Sequence, residues 1–176
     1  MLQGAFRSVM AVMALFGASC ADPHRLVVSV PEQRMAVYRK DVLLGSFPVS
    51  TSKFGYGDAP GTNHTPLGKL KVARKIGGGQ PSGMRFKSRR PTGEIVAVNA
   101  PGRDPIVTRI LWLKGRDGQN PNAYGRYIYI HGTPEEAKLG TPASYGCIRM
   151  ASRDILWLYD LVGTGAAVDV LTTPLP

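Results

Sequence analysis

The sequence predicts a mainly β domain with one or two short helices near its C-terminal end. Three observations predict it. Short β-branched and apolar runs recur along the chain with two-residue alternation, and helical spacing appears only late. Gly 21 and Pro 14 make up about a fifth of the chain and follow no G-x-y period, which means many turns and excludes collagen. A hydrophobic share of 43% suffices for a sizeable core, and 176 residues suit one domain. No run of about 18 apolar residues is present to make an ordinary transmembrane helix. No internal period of about 20–50 residues suggests a solenoid.

The elements follow in order. Residues 1–21 read as a secretory signal. Arg7 is their only charge, an apolar run covers 9–16, and Gly17, Ala18, Ser19, Cys20 and Ala21 form a small-residue exit. Cleavage after Ala21 competes with cleavage before Cys20 and lipidation of that thiol. Residues 22–176 form the domain. Within it 26–30, 34–38 and 42–49 read as strands joined by Pro31-Glu32-Gln33 and Arg39-Lys40-Asp41. Residues 51–66, rich in Gly, Thr, Asp and Pro, read as a long loop, and 67–73 as a strand. The stretch 76–92, with Gly77-Gly78-Gly79 and a basic cluster, reads as a mobile flap. Strands are expected over 95–98, 106–113 and 127–130, with a turn region over 116–124. Thr133-Pro134-Glu135-Glu136 has the form of a capping box and predicts a helix of barely two turns, stopped by Gly140. A second helix starts at Ser152, has Asp154 in its first turn, shows Ile155, Leu158, Tyr159 and Val162 on one face, and ends at Gly163. Residues 167–171 close the domain as a strand.

Charge narrows the partners. Lys+Arg 22 against Asp+Glu 12 gives a formal charge of +10, and loss of residues 1–21 removes only Arg7. For an exported chain, anionic wall polymer or phospholipid headgroups are nearer at hand than nucleic acid. The cations Lys69, Lys71, Arg74, Lys75, Arg85, Lys87, Arg89 and Arg90 also lack the aromatic interleaving of a single-strand groove, so no nucleic-acid partner is expected. His24, His64, His131 and Cys147 lack close metal-ligand spacing, so no metal is expected. The triple glycine lacks the Lys-Ser/Thr of a phosphate loop, and no cofactor is expected.

The chemistry points to two segments. Ile130-His131-Gly132-Thr133 closes a strand, and Ala143-Ser144-Tyr145-Gly146-Cys147-Ile148-Arg149-Met150 follows shortly after. With Cys20 removed or lipidated, Cys147 has no partner for an internal disulfide. A thiol nucleophile needs a base to make the thiolate, and imidazole titrates near neutrality. Gly132 and Gly146 give flexible backbone at both. The amides of Tyr145, Gly146 and Cys147 are candidate oxyanion-hole donors. Arg149 is a candidate for lowering the thiol pKa or for binding a substrate carboxylate.

These residues resemble the catalytic domain of the L,D-transpeptidase (YkuD-type) family. Its signature is a His-Gly-Thr segment, then Ser-His-Gly-Cys followed by an aliphatic residue and Arg or Asn. Here it stands as His131-Gly132-Thr133 and Ser144-Tyr145-Gly146-Cys147-Ile148-Arg149-Met150, with Thr65-Pro66-Leu67-Gly68 matching an earlier family turn. The likeness covers roughly residues 26–172. It implies a β-sandwich or barrel and an exported enzyme of the periplasm or cell envelope, on a membrane only if lipidated at Cys20. The implied partners are peptidoglycan stem peptides, donor and acceptor. Cys147 is implied as nucleophile and His131 as proton donor and acceptor, with the Gly132 carbonyl orienting the imidazole. Arg149, Ser144 and Tyr129 are implied as substrate contacts. One departure stands out: Tyr145 occupies the position of a second family histidine. The rival readings are an L,D-carboxypeptidase or wall-protein-detaching hydrolase of the same family, and a wall-binding domain without catalysis.

Overall fold

The computed structural model describes residues 22–102 and 104–176; the signal reading of 1–21, with Cys20, lies outside the described residues. The chain opens on β1 (His24–Ser29), β2 (Arg34–Arg39) and β3 (Val42–Pro48), an antiparallel meander as expected. The β2–β3 turn places Lys40 and Asp41 at φ of 48° and 66°, the two left-handed residues that a tight hairpin turn requires. After a long loop come β4 (Gly68–Ile76), β5 (Met84–Lys87), β6 (Arg90–Ile95) and β7 (Ile106–Gly115). Then follow β8 (Tyr129–Gly132), β9 (Ile148–Met150), helix α1 (Ser152–Leu161) and β10 (Ala167–Leu171).

The strands form one continuous sheet, ordered β3-β2-β1-β10-β4-β7-β5-β6, with β8 branching from β7 and β9 pairing with β8. The mainly β domain expected from the sequence is borne out, here as one branched sheet. The path is open, and β7 is its branch point. It pairs with β4 through Ile110–Gly115, with β5 through Ile106 and Val107, and with β8 through Val107–Trp112. Ten residues long and buried along most of its length, β7 can serve three neighbours. Its alternation feeds two cores. Leu111 and Leu113 join the main core with Leu26, Val28, Leu70, Ile130 and Ile155, whereas Ile110 and Trp112 join Met84, Phe86 and Tyr129 in a smaller one.

Three local expectations change. The flap region holds the β5–β6 hairpin, and the strand expected over 95–98 stops at Ile95. Its turn residues, Ser88 and Arg89 at φ of 49° and 67°, carry no glycine or asparagine to announce it. The capped helix shrinks to a 3-10 turn over Glu136–Lys138. Thr133 Oγ1 accepts from the Glu135 N–H at 3.0 Å, but the reciprocal half of the box is not made. Thr133 N–H donates to the Met150 carbonyl at 3.0 Å, and Glu136 accepts from the Ser152 N–H at 2.8 Å. That second bond starts α1, whose own N-cap, Ala151, has no side-chain acceptor. At the other end Lys75 Nζ donates to the carbonyls of Tyr159 (2.5 Å) and Val162 (2.7 Å), placing a cation on the negative pole of the helix. α1 buries Ile155 and Leu158, as the spacing predicted.

Candidate active site

β8 and β9 run parallel with Ile130 opposite Ile148 and His131 opposite Arg149. Neighbouring strands in register present matched residues to the same side. Cys147, just ahead of β9, therefore comes level with Tyr129, and the alternate residues Tyr129, His131, Cys147 and Arg149 share one face. His131, Cys147, Arg149, Asp104, Ser144 and Tyr145 line a common cleft of about 150 Å³. Among the described residues no group of three His, Cys, Asp or Glu side chains is placed to hold a metal ion.

The turn that delivers Cys147 is tied from both sides. Gly146 has φ of +115°, and a Cβ there would sit 3.1 Å from the His64 carbonyl oxygen, so glycine is required. Ser144 Oγ donates to the Cys147 carbonyl at 2.5 Å and accepts from the Gly146 N–H at 3.2 Å. Buried and hydrogen-bonded in this way, Ser144 shapes the turn. Thr65, in the matched Thr-Pro-Leu-Gly turn, donates from Oγ1 to the Gly146 carbonyl at 3.1 Å and accepts from the Ser52 N–H at 2.9 Å. Thr65→Val leaves both partners buried and unpaired, at about 1–3 kcal/mol each. We expect a lowered unfolding midpoint in urea, largely recovered by Thr65→Ser. Equal midpoints for the valine variant and the parent would contradict this role.

Of the three candidate oxyanion donors, one has a partner within the turn. With Gly146 N–H on Ser144, the Tyr145 and Cys147 N–H groups remain without an acceptor among the described residues.

His131 is buried, and its Nδ1 lies 2.8 Å from the Gly132 carbonyl oxygen. A carbonyl only accepts, so Nδ1 carries the proton and Nε2 is left as the basic nitrogen. A side chain on Gly132 would meet the Val107 carbonyl oxygen at 2.6 Å, so glycine lets β8 approach β7 here. Burial lowers the His131 pKa; the Gly132 bond and the Asp104 charge oppose this, and Arg149 adds to it. Burial also pushes the Cys147 thiol up to about 11, despite a hydrogen bond from the Tyr129 backbone. Asp104 raises it further, whereas Arg126 and Arg149 pull it down less. The expected lowering of the thiol pKa by Arg149 is thus overridden. Both shifts favour the neutral pair, thiol and imidazole, over thiolate and imidazolium. Because the thiolate is the reactive form, alkylation of Cys147 by iodoacetamide should rise about tenfold per pH unit above neutrality, levelling only near the thiol pKa. A plateau already reached by about pH 8 would exclude the neutral pair.

Arg149 is engaged by carboxylates of the chain itself. Its guanidinium pairs with Asp104 and, at 2.9 Å, with Glu135, while Nη2 donates to Ser50 Oγ at 3.3 Å; its side chain is 2% exposed. Lys138 and Arg149 together hold the Glu135 carboxyl below its ordinary range. Sequence reading missed Asp104 and Glu135: one precedes a proline in a turn, the other lay in the supposed helix, and neither carries a motif. Tyr129 is likewise buried. It packs edge-on to Trp112 at 5.6 Å, and its hydroxyl accepts from Arg89 at 3.4 Å, so it supports the floor beneath Cys147. Tyr145 is 64% exposed at the rim. Its hydroxyl accepts from Lys53 Nζ at 3.1 Å, and its ring lies 5.2 Å from that of Phe54.

Comparison with known proteins places this arrangement. Residues 23–170 match the family model described as the L,D-transpeptidase catalytic domain. The YkuD protein of Bacillus licheniformis is 25% identical over 148 residues, which cover 84% of this chain and 66% of that protein. The probable L,D-transpeptidase YbiS of Escherichia coli is 29% identical over 154 residues, covering 85% of this chain and 45% of that one. This chain thus spans about half to two-thirds of the length of these curated relatives. A crystal structure of L,D-transpeptidase 3 from Mycobacterium tuberculosis with a faropenem-derived adduct shares the fold, with a TM-score of 0.56, 20% identity, and coverage of 85% of this chain and 60% of that one.

Proposed function

The chain belongs to the L,D-transpeptidase catalytic domain family, and from that premise we propose that it is an exported cysteine acyltransferase that forms L,D cross-links between peptidoglycan stem peptides. The observation that carries this reading is the hydrogen bond fixing His131 with Nε2 as its base, in the same cleft as Cys147. Cys147 Sγ attacks the carbonyl that joins the L-centre of a stem diamino acid to its terminal D-alanine. His131 Nε2 takes the thiol proton as the C–S bond forms. The Tyr145 and Cys147 N–H groups serve as the donors to the oxyanion, each worth about 2.7–4 kcal/mol at the transition state. Collapse breaks the C–N bond, and the imidazolium returns its proton to the departing D-alanine amine. An amine of a second stem then attacks the thioester, passes its proton to His131, and releases the thiol. The Gly132 carbonyl holds the ring throughout. An adjoining basin of about 410 Å³ shares Asp104, Tyr145 and Arg149 with the cleft and carries the amines of Lys53 and Lys138, room for the stem next to the scissile bond. Delivery to the periplasm or envelope through the 1–21 signal, with membrane attachment if Cys20 is lipidated, is part of the same proposal.

Intact-mass analysis with a purified stem tetrapeptide tests it. A thioester adduct with D-alanine released, and a dimer when acceptor stem is added, is the expected result. Tripeptide without dimer assigns an L,D-carboxypeptidase. No adduct and no turnover, with the wall still bound, assigns a binding domain. A reactive carbapenem should also add its mass to Cys147.

A further inference from the structure

We propose that the concavity between β4, β7 and the loop after α1 is a binding site for a phosphate ester, held by Lys71, Arg74 and Lys114. This site is separate from the cleft, and nothing in the acyl-transfer reading requires it. Its volume is about 460 Å³, and Tyr124, Thr164 and Gly165 complete its walls.

Three observations carry the inference. In the β4–β7 register Lys71 stands directly opposite Lys114. Two like charges paired across strands destabilise a sheet, and an anion between them would relieve this. A register shift between Val72 and Arg74 then adds Arg74 to the same concavity. Without that bulge the alternation of the strand would direct Arg74 away from Lys71. Finally, none of the three cations forms an ion pair with a carboxylate among the described residues, and no acidic side chain lines the concavity. Other cations of this chain do find partners, as Arg25 does with Asp169 and Arg126 with Asp58.

The chemistry favours phosphate over carboxylate. One carboxylate neutralises a single cation, whereas a phosphate ester offers several acceptor oxygens and up to two charges to three convergent donors. Arg74 is held over the Trp112 ring at 5.8 Å, and that ring stacks on Tyr124 at 4.2 Å, so the guanidinium is oriented before a ligand arrives. The same aromatic group reaches the catalytic side. Tyr127 packs on Trp112 at 5.7 Å, and its carbonyl accepts from Cys147 Sγ at 3.5 Å.

The test is calorimetric titration with inorganic pyrophosphate at low salt, against a chloride control of equal ionic strength. One-to-one binding is expected, weakened about tenfold by Lys71→Gln and again by Lys114→Gln. Lys87→Gln, a cation outside the concavity, should leave it unchanged. The unliganded Lys71→Gln and Lys114→Gln proteins should melt at or above the parent temperature, because the opposed charges are relieved. Binding that ignores both substitutions, or that Lys87→Gln weakens equally, overturns the site, and so does absence of binding. Glycerol 3-phosphate and phosphatidylglycerol vesicles, run as separate competitors, distinguish a free or polymeric ester from a lipid headgroup. Displacement of pyrophosphate by either supports the phosphate site, and displacement by neither counts against it. Iodoacetamide labelling of Cys147, unchanged in the variants, keeps this result independent of the acyl-transfer reading.

Discussion

Replacing Cys147 with alanine will lower D-alanine release from stem tetrapeptide by about 10⁴-fold or more, to the background of the assay. Every covalent step of the proposed reaction passes through this one sulfur, so nothing partial is expected. The substitution removes a single partly buried atom at the edge of the smaller core, and the thermal midpoint should hardly move. Cys147→Ser will be nearly as inactive. The same burial that raises the thiol to about 11 opposes an alkoxide more strongly, since an alcohol is the weaker acid. Affinity for purified wall should survive in both variants. A Cys147→Ala protein that keeps activity within tenfold of the parent would remove the thioester mechanism altogether.

The second large effect is expected at Arg149. Arg149→Met fills the volume but leaves Asp104 and Glu135 facing each other without their cation. Removing one member of a buried ion pair costs about 3–5 kcal/mol, equivalent at this chain length to a fall in melting temperature on the order of 10 °C. Arg149→Lys should recover only part, because an ammonium cannot fork between two carboxylates and Ser50. A pH profile separates this positioning role from plain destabilisation. Arg149 is one of the influences that lower the His131 pKa, and Asp104 opposes it. Without the positive charge the imidazole pKa rises, so the acid limb of the rate profile of a folded, neutral Arg149 variant with residual turnover moves to higher pH than in the parent, whereas Arg149→Lys, which keeps a cation, moves less. Adding Asp104→Asn to Arg149→Met should restore stability beyond the sum of the single changes. Strict additivity would mean that the two do not interact.

The legible and illegible parts of this protein divide by range along the chain. β1, β2 and β3 and the face of α1 could be read because alternation and helical spacing are local, and the structure returns them within a residue or two. His131 and Cys147 stood out because each lies in a short motif of glycines and polar residues. β9 did not stand out. Three residues carry no period, and its parallel partner is β8, whose intervening segment holds no regular helix to announce a crossover. The β5–β6 hairpin was hidden by Ser88 and Arg89, which adopt a glycine-like conformation. The partners of Arg149 were illegible for a deeper reason. A cation two residues from a nucleophile looks like a substrate anchor until its partners are known, and residues 104 and 135 reach it only in three dimensions. Electrostatic partnership of that kind leaves no mark on local sequence.

The position of β10 sets the order in which the molecule can assemble. This last strand lies inside the sheet, parallel to β1 on one edge and antiparallel to β4 on the other. Until residues 167–171 arrive, the β1–β3 meander and the β4–β7 half have no common ladder, and Leu26 and Leu70 cannot share a core through Val168. The whole sheet therefore cannot be completed from the N-terminus alone before residues 167–171 are available. The chain stays open until its end is free, and the ring closure joining the first strand to the last is entropically late and slow. Such a high-contact-order polypeptide remains threadable while it is being made. It also exposes the unpaired edge of β1 during that interval, the stage at which holdase chaperones or self-association compete with folding.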